Sequence, residues 1–174
     1  MLEAQFRRLG ASRPAFPSIV GSGPNATTLH YTANHRRIEE DDLVLIDAGA
    51  EWGLYCADMT RTIPASGRFT PPQQAVYDVV EEARQAAIAA ARAGGSIAAL
   101  HDVAVRILAR GMIDLGLLKL TDLEEVVETS AYKRFYMHQT SHWIGLDVHD
   151  VGLYREQGEA VPLAPGMVLT VEPG

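Results

Sequence analysis

The chain has 174 residues, 47% of them hydrophobic and 21% charged, with 15 basic residues against 22 acidic ones for a formal charge of -7. This composition is that of a globular domain rather than a disordered or membrane-spanning chain, and its basic clusters (Arg7-Arg8, Arg36-Arg37, Lys133-Arg134) are too short and scattered for a nucleic-acid partner. The lone cysteine, Cys56, excludes an internal disulfide and fits a reducing compartment, and neither a leader pattern nor an apolar run of about 18 residues is present, so a cytoplasmic protein with no membrane partner is expected.

Residues 2–9 carry a helical pattern (Leu2, Phe6, Leu9) that begins abruptly and stops at Gly10, as in a helix cut from something longer. Extended runs are expected over 18–21, 27–32 and 43–47, the last after the acidic turn 39–42, and a further strand over 55–63 ends at Pro64. Thr70-Pro71 opens a long amphipathic helix, with Val76, Val79, Val80, Ala83, Ala87 and Ile88 at helical spacing, that runs toward Gly94. Ser96 caps a second helix, with Ile97, Leu100, Ala104, Ile107 and Leu108 on one face and Gly111 at its C-terminal end; a shorter helix follows over 121–127. Extended segments return over 143–149 and 167–171. The class is α+β, two strand clusters around a helical middle.

The buried-type strand Leu43-Val44-Leu45-Ile46 ends on Asp47, followed by Ala48-Gly49. A two-residue turn at Trp52-Gly53 would set Asp58 directly opposite Asp47, with Cβ atoms about 4.5 to 5.5 Å apart. Two carboxylates so close repel unless a proton or a divalent cation lies between them. The competing reading keeps one acid solvated at a strand end and the other paired with Arg61.

Three of the 6 histidines, His138, His142 and His149, fall in one short stretch, a crowding that suggests proton transfer or metal coordination more than three core imidazoles. The run Val168-Leu169-Thr170-Val171-Glu172-Pro173-Gly174 repeats the form of residues 43–49, so that Asp47 corresponds to Glu172 and two facing half-sites are suggested.

These residues resemble the aminopeptidase P group of pita-bread metallopeptidases, which also holds prolidases, methionine aminopeptidases and creatinase. The likeness runs from about Phe6 to Gly174, through Ile19-Val20-Gly21-Ser22-Gly23, Leu29-His30-Tyr31-Thr32, Asp47-Ala48-Gly49, Asp58-Met59-Thr60-Arg61-Thr62, Ser141-His142-Trp143-Ile144-Gly145-Leu146-Asp147-Val148-His149-Asp150-Val151-Gly152 and Thr170-Val171-Glu172-Pro173-Gly174. The Ser-His-Trp context and the Leu-Asp-Val-His-Asp-Val-Gly run are similar to the bacterial Xaa-Pro aminopeptidase branch.

The resemblance implies the pita-bread fold and a dinuclear metal site in which Asp47 binds one ion, Asp58 bridges both, and His142 and Glu172 bind the other. The family's oxygen-rich ligand set suits Mn²⁺, with Co²⁺ or Zn²⁺ as substitutes. It further implies hydrolysis of the bond between an N-terminal residue and a following proline, with Glu172 also accepting a proton from the attacking water. His149 would stabilise the tetrahedral intermediate or move a proton, and His30 and His138 would orient substrate. Peptides with proline in second place are the implied partners, and a homo-oligomer the implied assembly of the full-length protein. By the same likeness residues 1–174 form one partial catalytic domain, without the family's N-terminal domain and final strands, and a fifth ligand, a bridging Glu, has no counterpart. Weak or no activity is therefore expected of the chain by itself. Gln139, where a glycine is expected, departs from the pattern. Two other readings stand beside this one: a prolidase restricted to dipeptides, and a non-catalytic pita-bread module that binds peptides. His35 and His101 are expected to be surface residues, and Tyr136 and Trp143 core or pocket wall.

Overall fold

The computed structural model describes every residue from Met1 to Gly174. The chain divides into two units, the first made of Met1–Thr70 with Ile144–Val151 and the second of Pro71–Trp143 with Gly152–Gly174. Strands fill the first and helices dominate the second, which bears out the α+β class.

In the first unit α1 (Leu2–Arg8) leads into β1 (Arg13–Pro14), β2 (Ile19–Ser22), a 3-10 turn (Gly23–Thr27), β3 (Leu43–Ala48), β4 (Ala50–Trp52), β5 (Tyr55–Cys56) and β6 (Met59–Pro64). β3 is the centre of an antiparallel sheet, flanked by β2 and β6, and its continuation β4 lies between β1 and β5 in a second sheet. Ile19, Val44 and Ala48 are buried, as the apolar run of residues 43–46 demands. The hairpin turns at Gly53 and Leu54, both with positive φ (55° and 76°), the pattern of a type I′ turn. That is one residue later than Trp52-Gly53, and the register changes accordingly: Asp47 pairs with Thr60, not with Asp58.

No strand forms over residues 27–32, where the 3-10 turn ends and His30 adopts a left-handed conformation (φ 53°). The edge of β2 is taken instead by a side chain. The Asn34 amide accepts from the Val20 N–H at 2.7 Å and donates to the Ser18 carbonyl at 2.7 Å, the pair of bonds a neighbouring strand would make. The acidic turn is held by Asp42, a buried carboxylate that pairs with Arg36 and accepts the Glu39 N–H at 2.8 Å. Arg61 donates to the Thr60 carbonyl at 2.7 Å rather than to an acid.

The second unit holds α2 (Pro71–Ala90), α3 (Ile97–Asp114), α4 (Leu123–Glu128), a 3-10 turn (Ala131–Arg134) and a small hairpin of β7 (Arg155–Glu156) and β8 (Glu159–Ala160). Prolines at the first positions open α2, while the Ser96 and Asp122 side chains accept the Ala99 and Glu125 N–H groups to cap α3 and α4. Ala83, Ala104, Val105, Leu108, Ala109, Met112, Val126, Tyr132 and Tyr136 make the main core. Gly111 does not end α3, which continues to Asp114. A Cβ there would lie 2.3 Å from Val79 Cγ1, so the glycine lets α2 and α3 approach each other. No helix is long and apolar enough to cross a membrane.

Candidate metal centre

Asp47 and Asp58 both lie in the first unit. Asp47 is the fifth residue of β3, and Asp58 stands just before β6, in the register that opposes it to Gly49. Because side chains alternate along a strand, Asp58 lies on the same face as Thr60 and therefore on the face of Asp47, as a diagonal rather than a direct neighbour. The demand for a cation drawn from direct opposition is accordingly weaker than the sequence argument assumed. Gly49 has a steric reason to be glycine, since a Cβ would sit 1.6 Å from the Ala57 carbonyl oxygen. The close approach this permits places the backbone just before Asp58 against the end of β3. His30 and His149 also belong to this unit, both exposed, with ring centroids 6.3 Å apart.

His142 and Glu172 lie in the second unit, and here the structure brings two expected ligands together: His142 Nε2 stands 3.0 Å from Glu172 Oε1. The backbone explains why. Trp143 bridges antiparallel to Leu169, and the bonds Thr170 N–H to His142 O (2.9 Å) and Glu172 N–H to Thr140 O (2.8 Å) extend that register. His142 thus opposes Thr170, Thr140 opposes Glu172, and all four side chains share one face, while Trp143 and Leu169 pack with Ile97, Leu100 and Leu163. The expected strands over 143–149 and 167–171 reduce to this one bridge because the return bond is diverted. The His142 N–H donates to the Thr170 hydroxyl at 3.0 Å, not to the Thr170 carbonyl.

The ring nitrogens of His142 have distinct roles. Nδ1 is 2.9 Å from the Trp143 carbonyl, which only accepts, so Nδ1 carries the hydrogen and a neutral ring leaves Nε2 with a bare lone pair. That lone pair faces a carboxylate oxygen. Two acceptors at 3.0 Å repel unless a proton on Nε2 or a cation joins them, and an imidazole held through its other N–H by a backbone carbonyl is the usual arrangement of a metal-ligating histidine. The donor set therefore fits a divalent ion.

Behind Glu172 lies a group that the sequence reading missed. The fully buried Thr140 hydroxyl is 2.6 Å from the Tyr136 hydroxyl and 3.0 Å from His101 Nδ1. Burial pushes the Tyr136 phenol up to about 12 and holds the His101 imidazole below its ordinary value. His101 is thus half-buried and hydrogen-bonded rather than a plain surface residue, whereas His35 is exposed, and Tyr136 and Trp143 are buried as expected. His138 packs edge-on against Tyr136 with ring centroids 4.9 Å apart, its Nδ1 2.9 Å from the Gln139 carbonyl.

A profile of metallopeptidase family M24 matches residues 1–174. The chain belongs to metallopeptidase family M24. Among curated M24 relatives, the Xaa-Pro aminopeptidases of Haemophilus influenzae and Escherichia coli are each 47% identical over 170 residues, 98% of this chain. The structure of Pseudomonas aeruginosa aminopeptidase PepP superposes with a TM-score of 0.96 at 49% identity over 99% of the chain. Zinc-substituted E. coli aminopeptidase P in complex with product gives 0.94 at 46%. The likeness establishes the pita-bread fold. The chain spans 39% and 38% of the length of the two curated relatives and 39% of each of these solved chains.

Proposed function

We propose that residues 1–174 belong to the catalytic domain of an Xaa-Pro aminopeptidase, in which Asp47, Asp58, His142 and Glu172 hold two divalent ions, Mn²⁺ in the first instance with Co²⁺ or Zn²⁺ as substitutes. The observation that carries the metal reading is the His142–Glu172 pair, an imidazole lone pair and a carboxylate oxygen 3.0 Å apart with the imidazole's other nitrogen held by the Trp143 carbonyl. Divalent ions bound there would acidify water and polarise the scissile carbonyl. Glu172 accepts a proton from the attacking water. His149, exposed and beside His30, donates to the oxyanion, while His30 and His138 orient the peptide. The substrate reading rests on the curated relatives, which are Xaa-Pro aminopeptidases from bacteria and mammals. A cytoplasmic homo-oligomer completes the proposal.

The test is hydrolysis by the complete gene product, stripped of metal and then supplied with Mn²⁺, Co²⁺ or Zn²⁺. Peptides with proline in second place should lose their first residue, and EDTA, Asp58→Asn or His142→Ala should abolish turnover. Turnover that persists in EDTA overturns the metal reading. Cleavage of Xaa-Pro dipeptides alone assigns the prolidase activity instead. Metal binding without hydrolysis of either class leaves a peptide-binding module.

A further inference from the structure

Thr170 occupies a position that neither the ligand set nor the family motif explains. It opposes His142 across the bridge and stands two residues before Glu172 on the same face, so one hydroxyl reaches both side chains' supports. We propose that Thr170 is the positioning residue of the His142–Glu172 pair, a single hydroxyl that aligns the imidazole and the carboxylate toward a divalent cation. The inference rests on the metal reading proposed above.

The hydrogen-bond accounting leaves one arrangement. The His142 backbone N–H, 3.0 Å from Thr170 Oγ1, has only a hydrogen to give, so Oγ1 accepts there. The hydroxyl's own hydrogen is then free, and Glu172 Oε1 lies 2.9 Å away as an ionised acceptor. Glu172 Oε1 is thereby held on one side by Thr170 and turned on the other toward His142 Nε2 at 3.0 Å. The Thr170 backbone N–H donates to the His142 carbonyl at 2.9 Å, so the same residue ties down both ends of the His142 main chain. Without the hydroxyl, the carboxylate loses the contact that selects its rotamer, and the His142 N–H loses its acceptor. Valine copies the shape of threonine and cannot do either job, whereas serine can do both.

The experiment measures Mn²⁺ binding by calorimetry on the metal-stripped complete gene product, comparing the parent with Thr170→Val, Thr170→Ala and Thr170→Ser. The valine and alanine forms should bind about 10- to 100-fold more weakly, as removal of a residue that orients a metal ligand does. The serine form should bind as the parent does, and all four should show folded melting curves in chelator. The pairs Thr/Val and Ser/Ala delete the same hydroxyl at two different side-chain volumes, so failure of one variant to fold leaves the other pair to decide. Equal affinity in all four overturns the inference alone. Weakening of the serine form to the level of alanine also overturns it, because bulk rather than the hydroxyl is then responsible. Loss of fold in chelator by both hydroxyl-free forms overturns it too, since the hydroxyl would then serve the fold. Absence of Mn²⁺ binding by the parent overturns the metal reading and this inference with it.

Discussion

Substituting Gly49→Ala adds one methyl group where the structure has no room for it. An ideal Cβ at this position lies 1.6 Å from the Ala57 carbonyl oxygen, 2.5 Å from its carbon and 3.2 Å from the Asp58 nitrogen. Ordinary carbon–oxygen contacts begin near about 3.3 Å, so the backbone of residues 57–58 must retreat by roughly 1.5 Å or more. All three obstructing atoms are main chain, so no rotamer change relieves them. The retreat strains or breaks the bond from the Ala57 N–H to the Ala50 carbonyl (2.9 Å) and pulls on the neighbouring bond from Cys56 N–H to Gly145 O (2.8 Å). Two backbone bonds at about 1 kcal/mol each and overpacking of about 1 to 3 kcal/mol give a loss of roughly 3 to 5 kcal/mol. Urea unfolding of the metal-free complete gene product, followed by circular dichroism, reads this directly. Gly67→Ala is the control: its φ of 78° disfavours alanine but nothing lies within 4 Å, so the cost is limited to about 1 to 2 kcal/mol. If Gly49→Ala and Gly67→Ala are equally mild, the close approach of the two strands at Gly49 is wrong.

Tyr136→Phe should cost about 1 to 2 kcal/mol at neutral pH, since the buried Thr140 hydroxyl loses a partner at 2.6 Å; thermal melting checks it. Burial raises the Tyr136 phenol to about 12, so the parent's stability contribution is intact below about pH 10 and falls as pH climbs toward 12, at up to about 1.4 kcal/mol per unit; the phenylalanine form should fall less steeply over that window. Glu51 is buried, and its bonds from Arg13 and Ser12 hold its carboxyl below the usual range, so it stabilises the fold above that range and ceases to do so as pH drops through the depressed value. Acid unfolding of Glu51→Gln should therefore begin from lower stability and show a shallower pH dependence than the parent. Ser96→Ala should destabilise α3 by about 1 kcal/mol, read by urea unfolding, because the Ala99 N–H loses its cap.

The helices were legible because their signals are local. Pro71, Ser96 and the 3.6-residue apolar spacing each act within a turn or two, and the structure places α2 and α3 where those residues indicate. What escaped the sequence were side chains doing backbone work. Asn34 replaces a strand along β2, Leu54 accepts a left-handed conformation that its chemistry does not advertise, and the Thr170 hydroxyl diverts a ladder bond. Each depends on a partner distant in the chain or on a conformation with no propensity signal, so periodicity cannot register it. The register error followed from Leu54 alone: placing the turn one residue early moved Asp58 from a diagonal to a direct neighbour of Asp47. His101 was misjudged for the same reason, since its burial depends on Thr140, 39 residues away.

The near-repeat of residues 43–49 and 168–174 acquires a physical reading from these details. In both copies the acid stands where regular backbone pairing is about to fail. After Asp47, β3 ends at Ala48, and Gly49 lies so close to Ala57 that no side chain fits. After Glu172, whose N–H makes the last bond of its ladder to Thr140, Pro173 has no N–H to continue it. A carboxylate at such a point is displayed at the end of a pairing rather than packed within it, while the bonds just before it still hold its backbone in place. The resemblance between the two segments is then a shared solution to one problem, presenting a charge from the end of an apolar strand. The solution differs in how the pairing stops, by backbone crowding in one unit and by a missing donor in the other. That difference explains why the first copy resumes in register at β4, with the Ala57 N–H bonded to Ala50, whereas the second makes no further bond of its ladder beyond Glu172.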